Sequence, residues 1–113
     1  MTLHDDSVSL RHMLDASREI MEILQGRKQS ELADDRIVQL AVTHLFTILG
    51  EAATRVSEET RMAHPEIPWG YAIGMRNRII HGYDVVDLDV IWDTAQENIP
   101  ELVEQLEEIL ADW

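Results

Sequence analysis

The 113-residue chain contains no cysteine, which excludes both disulfides and thiolate metal ligands. It has only three prolines and no run of 18 apolar residues, so we expect no transmembrane helix. The first ten residues lack the basic and apolar regions of a signal peptide. Apolar residues make up 45% of the chain, which is enough for one packed core. These features predict a single domain over residues 1–113, located in the cytoplasm.

Positive charge is scarce, and it is absent from the last quarter of the chain. Nine Lys and Arg stand against 22 Asp and Glu, which gives a formal net charge of −13. Residues 84–113 contain ten acids and no Lys or Arg, whereas residues 1–83 contain twelve acids and nine bases. A strongly acidic protein ordinarily disfavours nucleic acid as a partner. Because the acidic and basic residues of 1–83 nearly balance, a local cationic site in that part of the chain is still compatible with the composition.

Apolar residues recur at helical spacing in the first half of the chain, and almost no strand pattern is visible. The first stripe runs from Leu3 to Leu24 and is ended by Gly26, so we expect residues 26–35 to form a loop. The second predicted helix covers residues 35–64. Its apolar residues occupy more than half of the helical circumference. It should therefore pack on more than one side, or face a second chain.

The second half of the chain predicts two further helices. One begins near Pro68, a favourable first-turn residue, and is expected to stop at Gly82. The other starts near Asp87 and continues to the end, with a kink or a restart at Pro100. Short connections between the helical segments favour an all-α up-and-down bundle of four to five helices.

Arg76 is the least expected polar residue of the third predicted helix. At about 100° per residue, it falls inside the apolar arc, whereas Arg78 points away to solvent. A buried guanidinium must find acceptors, because an unpaired buried charge is strongly destabilising. One interpretation is a structural ion pair, for which Glu51 is the best partner. The other is a cleft or a subunit seam in which the planar guanidinium binds an anionic ligand such as phosphate.

Two further polar residues of this segment share a predicted helical face. His81 follows Asn77 by four residues, and it would occupy the last helical turn. The helix dipole there favours the imidazolium, which suits general acid–base chemistry, although a structural role is also open. For Tyr83 the alternatives are packing and a hydrogen bond to this cluster. No metal site and no cofactor are expected, because no metal-ligand spacing involves the remaining histidines, His4, His12, His44 and His64.

The four residues Arg76, Asn77, His81 and Tyr83 form the pattern Arg-Asn-x-x-x-His-x-Tyr. This pattern resembles the signature of HepT-like toxins in the HEPN superfamily. The stretches LGEAATRVS at 49–57, HPEIPW at 64–69 and IWDTAQENIPELVEQL at 91–106 resemble the same family. The similarity covers roughly residues 3–110. It implies one all-α domain over residues 1–113 that forms a homodimer, with the motif helices meeting at the dimer interface.

The resemblance also implies a function. It indicates a metal-independent endoribonuclease acting on RNA such as tRNA or mRNA, with Arg76 and His81 catalytic and Asn77 supporting them by orienting His81 or by binding phosphate. It implies a nucleotidyltransferase antitoxin of the MNT type, which transfers AMP to the motif tyrosine, here Tyr83, and silences the toxin. Two alternatives stay open. One is a non-catalytic subunit that binds a nucleotide or presents a substrate to a nucleotidyltransferase, and the other is a structural dimer with Arg76 paired to Glu51.

Overall fold

The computed structural model describes residues 5–81 and 85–113, and helices account for most of them. Two strands of two residues, β1 (Ile80–His81) and β2 (Val85–Val86), pair in antiparallel register. The predicted all-α class is confirmed. The seven helices of the described chain are α1 (Asp6–Leu24), α2 (Gln29–Asp34), α3 (Arg36–Arg55), α4 (Glu58–Ala63), α5 (Trp69–Ile79), α6 (Leu88–Glu97) and α7 (Ile99–Ala111).

The core is centred on α1 and α3, which form the most extensive helix contact in the described chain. α1 packs also on α7, and α3 packs also on α5. Met13 and Ile20 of α1 are fully buried, as is Val42 of α3, and Phe46 is nearly so. Within each helix these buried residues recur at helical spacing, so one face of α1 and one face of α3 make the contact.

α3 is long and apolar enough, by length and composition, to cross a membrane, with a mean hydropathy of 1.4 over its most apolar stretch. Its contacts with both α1 and α5 account for this composition. The prediction that this helix packs on more than one side is therefore confirmed. Ile37 and Leu40 remain 79% and 52% exposed on α3, so its outer face is also partly apolar.

Two boundaries predicted in the first half of the chain are wrong. The predicted loop at 26–35 contains α2, because Leu32 is fully buried and the Glu31 carboxylate accepts a hydrogen bond from the Lys28 amide at 3.2 Å. The predicted helix at 35–64 is broken into α3 and α4. At the break, the Ser57 hydroxyl accepts a hydrogen bond from the Thr60 amide at 3.2 Å and so caps a new helix. α2 and α4, of six residues each, raise the number of helices in the described chain to seven, and the predicted bundle of four to five helices stays a prediction.

The third predicted helix ends at Ile79, three residues before the predicted stop at Gly82. Ile80 is extended, with φ −100° and ψ 119°, and it pairs with Val86. The Asp87 amide donates to the Ile79 carbonyl at 2.7 Å, which closes the paired segment. β-branched residues on both sides favour this pairing over another helical turn.

The helix boundaries predicted at Gly26, Pro100 and Asp87 are confirmed. Gly26 follows the end of α1 with φ +74°, a left-handed conformation that glycine adopts without strain. Pro100 stands in the first turn of α7, where its missing N–H costs nothing, so the chain restarts there. Asp87 caps α6, because its carboxylate accepts a hydrogen bond from the Val90 amide at 3.1 Å.

The start of α1 is tied to the break between α3 and α4 by a buried carboxylate. Asp6 is only 4% exposed, and it accepts hydrogen bonds from the Ser57 amide at 2.9 Å and the Ser57 hydroxyl at 2.6 Å. The Thr60 hydroxyl donates to it as well. This cluster joins two parts of the sequence that are about fifty residues apart, so it fixes α4 against α1.

We expect Asp6→Ala to lower the free energy of unfolding by about 3 kcal/mol, because it leaves an amide and two hydroxyls without their acceptor. Urea unfolding followed by circular dichroism measures this loss. Asp15→Ala removes an exposed aspartate from the same helix and should change stability by no more than about 0.5 kcal/mol. A loss below about 1 kcal/mol for Asp6→Ala would show that the cluster does not hold the fold.

Candidate functional site

The motif residues lie at the end of α5 and in the paired segment that follows. Arg76 and Asn77 belong to the last turns of α5, and the backbone of His81 belongs to β1. The prediction that His81 occupies a helical turn is therefore wrong. The argument from the helix dipole does not apply to it, and it shares no helical face with Asn77. The side chain of His81 and the whole of Tyr83 lie outside the described part of the chain.

Arg76 and Asn77 line an open cleft of about 190 Å³ between α5 and α3. Both side chains are exposed, so the cleft communicates with solvent. α5 contributes these two residues and Ile73. The lining residues from α3 are Thr47, Gly50, Glu51 and Thr54.

The two walls of the cleft approach closely because α3 has a glycine at the contact. A Cβ added at Gly50 would stand 3.0 Å from the Ala72 carbonyl oxygen of α5, a distance that only a shift of one helix could relieve. On the α5 side, Ala72, Met75 and Ile79 are buried at spacings of three and four residues. This packing fixes the rotation of α5 and leaves Arg76 on the margin of the cleft.

Arg76 is exposed, so the prediction that it lies in the buried arc is wrong. The arc that α5 buries is narrower than the predicted apolar arc, because Ile73 is only partly buried and Ile80 lies in β1, beyond the end of the helix. The predicted pair with Glu51 is absent from the ion pairs of residues 5–81 and 85–113. Glu51 does line the same cleft, and it is also exposed. Among residues 5–81 and 85–113, no acceptor engages the Arg76 guanidinium, which leaves its donors available for a ligand.

Arg78 is exposed, as predicted, but it is also held in place by an aromatic ring. Its guanidinium carbon lies 4.0 Å from the centre of the Tyr71 ring. The Tyr71 hydroxyl shares a hydrogen bond of 3.0 Å with the hydroxyl of Thr94, a buried residue of α6. Sequence reasoning missed this arrangement. The signal that was available is the spacing of seven residues, which places Tyr71 and Arg78 on one side of a helix two turns apart.

The residues that α3 contributes to the cleft were also missed, apart from Glu51. Thr47, Glu51 and Thr54 follow at spacings of four and three, which is the signature of one helical face. No group of three or more His, Asp or Glu side chains in the described ranges is arranged to hold a metal ion. The cleft thus offers a guanidinium, an amide, two hydroxyls and one carboxylate.

Comparison with known proteins identifies the family. The family model described as ribonuclease HepT-like matches residues 13–109. The chain is 34% identical over 101 residues to a candidate RNase of Caldanaerobacter subterraneus subsp. tengcongensis, covering 89% of this chain and 90% of that protein. It is 39% identical over 75 residues to the probable ribonuclease HepT of Thermococcus cleftensis, covering 66% of this chain and 68% of that protein.

A candidate RNase of Methanocaldococcus jannaschii is 29% identical over 112 residues, which cover 99% of this chain and 93% of that protein. No solved structure gives a significant match. The chain is therefore an all-α protein of the HEPN type. It belongs to the HepT-like ribonuclease family, which confirms the resemblance noted from its motif.

Proposed function

We propose that this protein is a metal-independent endoribonuclease of the cytoplasm, with Arg76 and His81 as catalytic residues and Asn77 as a phosphate ligand. The observation that carries the proposal is the exposed Arg76 in an open cleft, free of any carboxylate partner in the described chain. In a protein with a net charge of −13, an arginine left unpaired in this way is well suited to bind an anion. Membership of a ribonuclease family supports RNA as the source of that anion.

The proposed reaction needs a base, an acid and fixed positive charge. One imidazole removes the proton of the ribose 2′-hydroxyl, and the 2′-oxygen attacks the adjacent phosphorus. The bond from phosphorus to the 5′-oxygen breaks, and a second imidazole donates the proton to that oxygen. The products are a 2′,3′-cyclic phosphate and a 5′-hydroxyl. His81 from each of two copies supplies the two imidazoles, and Arg76 stabilises the negative charge that gathers on the phosphate oxygens.

This reaction requires a homodimer, and the outer face of α3 supports one. A stripe of residues at alternating spacings of three and four runs along that face, away from the buried Val42 and Phe46. Its first two members are exposed and apolar, and its last three line the cleft. A second copy that covers the apolar end of this face would therefore place the clefts of both copies at one subunit interface. The members of the stripe are Ile37, Leu40, His44, Thr47, Glu51 and Thr54.

We expect the double variant Ile37→Glu, Leu40→Glu to convert the dimer into a folded monomer, because it places two carboxylates where apolar surface would be covered. Light scattering coupled to size-exclusion chromatography measures the mass. Met62→Glu, at an exposed apolar residue of α4, should leave the dimer intact. A wild-type monomer, or a double variant that stays dimeric, would contradict the proposed interface.

We further propose that a nucleotidyltransferase antitoxin of the MNT type regulates this protein. The Tyr83 oxygen attacks the α-phosphorus of ATP, the AMP ester forms and pyrophosphate leaves. The added phosphate lies seven residues from Arg76 in the sequence and competes with RNA for the cationic site.

We expect co-expression with the antitoxin to add AMP to the chain, as read by intact mass. The chain has two tyrosines, so Tyr71→Phe is the matched control. Tyr83→Phe should abolish the added mass, and Tyr71→Phe should retain it. Modification of Tyr83→Phe, or an unmodified wild type, would contradict this assignment.

The direct test of the function is cleavage of total RNA by the pure protein in the presence of EDTA. A variant that lacks both Arg76 and His81, purified in the same way, controls for contaminating ribonucleases. We expect cleavage by the wild type alone, with cyclic phosphate ends on the fragments. Nucleotide binding without cleavage would instead favour the non-catalytic subunit of a nucleotidyltransferase.

A further inference from the structure

The stack of Arg78 on Tyr71 lies outside the cleft and is not used by the proposed reaction. Thr94 anchors the tyrosine hydroxyl from the buried side of α6, and the ring then holds the exposed guanidinium at 4.0 Å. A guanidinium fixed in this way has lost little of its hydrogen-bonding capacity, because stacking uses its face and leaves the N–H donors of its edge available. It has also lost much of the conformational freedom that a ligand would otherwise have to restrict.

Several other arginines of the described chain are engaged by protein groups. Arg18 and Arg27 pair with carboxylates at 3.5 and 3.8 Å. Arg61 donates to three backbone carbonyls near the end of α3. Within the described ranges, neither Arg76 nor Arg78 has an anionic partner, and both belong to the last turn of α5. The last turn of α5 therefore brings two available guanidinium groups together on the surface of an acidic protein.

The two arginines of α5 cannot bind the same phosphate. Arg76 and Arg78 are two positions apart, which corresponds to about 200° around an α-helix. Their side chains therefore diverge around a cylinder about 10–12 Å wide. The surface between them contains Asn77 and Gly74, and a Cβ added at Gly74 would meet nothing within 4 Å. The open space at Gly74 therefore gives an extended strand room to cross α5 from the cleft toward the stacked guanidinium.

We propose that Arg78, positioned by Tyr71, binds a phosphate of the RNA strand that neighbours the phosphate held at Arg76. The inference rests on the proposed ribonuclease function, and it assigns α5 as the surface that the substrate strand crosses. A single-stranded substrate fits this surface, because successive phosphates of a flexible strand can follow the curvature of one helix. Arg78 thus contributes to binding of the substrate and takes no part in proton transfer.

The test measures binding of a fluorescent single-stranded RNA by anisotropy over a range of KCl concentrations. His81→Ala serves as the parent so that the RNA stays intact. Adding Arg78→Ala should weaken binding about tenfold and lower the slope of log K against log salt by about 0.7, the value for one phosphate contact. Arg11→Ala, which removes an exposed arginine from α1, should change neither quantity. Arg78→Lys should keep part of the slope and lose affinity, because it keeps the charge and loses the planar stack.

A second variant tests the path of the strand. Gly74→Glu adds a carboxylate where there is open space, so it should fold and weaken RNA binding, whereas Gly74→Gln should weaken it far less. Unchanged affinity and salt slope in Arg78→Ala would overturn the inference while leaving the proposed function standing. A lower melting temperature with an unchanged salt slope would assign the stack to stability alone and overturn it too. Absence of RNA binding and cleavage in the wild type would overturn the proposed function itself.

Discussion

Arg76→Ala is expected to lower the rate of RNA cleavage by about 10²–10³-fold, the usual cost of removing one preorganised donor from the transition state. The change in the free energy of unfolding should stay within about 0.5 kcal/mol, because the side chain is exposed and has no partner in the described chain. The combination of a large kinetic effect with an intact fold is what separates a catalytic arginine from a structural one.

The measurement pairs initial rates on a defined RNA with urea unfolding of the same preparations. Arg11→Ala removes the same charge from another exposed position and should keep nearly full activity. Arg76→Lys should recover only part of the rate, because an ammonium lacks the planar pair of donors. If Arg76→Ala unfolded the protein, a structural role for Arg76 paired with Glu51 would explain the result better than a catalytic role. If it stayed folded and fully active, Arg76 would have no catalytic role.

The parts of the fold that the sequence predicted well depend on neighbouring residues alone. Gly26 ends α1 because it adopts a left-handed conformation at its own position, and Pro100 restarts a helix because it lacks an N–H. Asp87 caps α6 through an amide three residues away. Each signal acts within one helical turn, so it can be read without knowledge of the tertiary structure.

The parts that were mispredicted depend on residues far apart in the sequence. The chain breaks at Ser57 in part because Asp6, far away in the sequence, accepts its amide and hydroxyl hydrogens. Ile80 leaves the helix because Val86 is available as a strand partner. Arg76 was placed in the core because a helical projection counts every apolar neighbour as buried. Which of those neighbours is covered depends on where α3 lies.

The candidate site also has one part that local sequence predicts and another that depends on distant contacts. The motif pattern selected Arg76 and Asn77, and both line one cleft in the structure, while their catalytic roles stay predictions. The opposite wall could not be predicted, since it requires the contact between Gly50 and the backbone of α5. Only that contact brings the outer face of α3 beside the motif. This is why the hydroxyls of Thr47 and Thr54 were missed.

His81→Ala is expected to reduce cleavage by about 10²–10⁴-fold, the range for removing a general acid or base. Affinity for RNA should be little changed, because the proposal assigns phosphate binding to arginine and asparagine. His12→Ala, at an exposed histidine of α1, should keep wild-type rates. Any residual activity of His81→Ala should show a flatter pH profile than the wild type, because one proton-transfer group has been removed. Full activity in a folded His81→Ala dimer would remove His81 from the mechanism.

Mixed dimers test whether His81 of both copies is needed, because the proposed reaction takes one imidazole from each copy. Wild-type and His81→Ala chains can be mixed, allowed to exchange subunits and assayed at constant total protein. If both imidazoles are needed at one phosphate, only wild-type dimers cleave, and the activity follows the square of the wild-type fraction. If each chain works alone, the activity follows the fraction itself. A linear result would contradict the shared site while leaving each single copy of Arg76 and His81 as a complete ribonuclease centre.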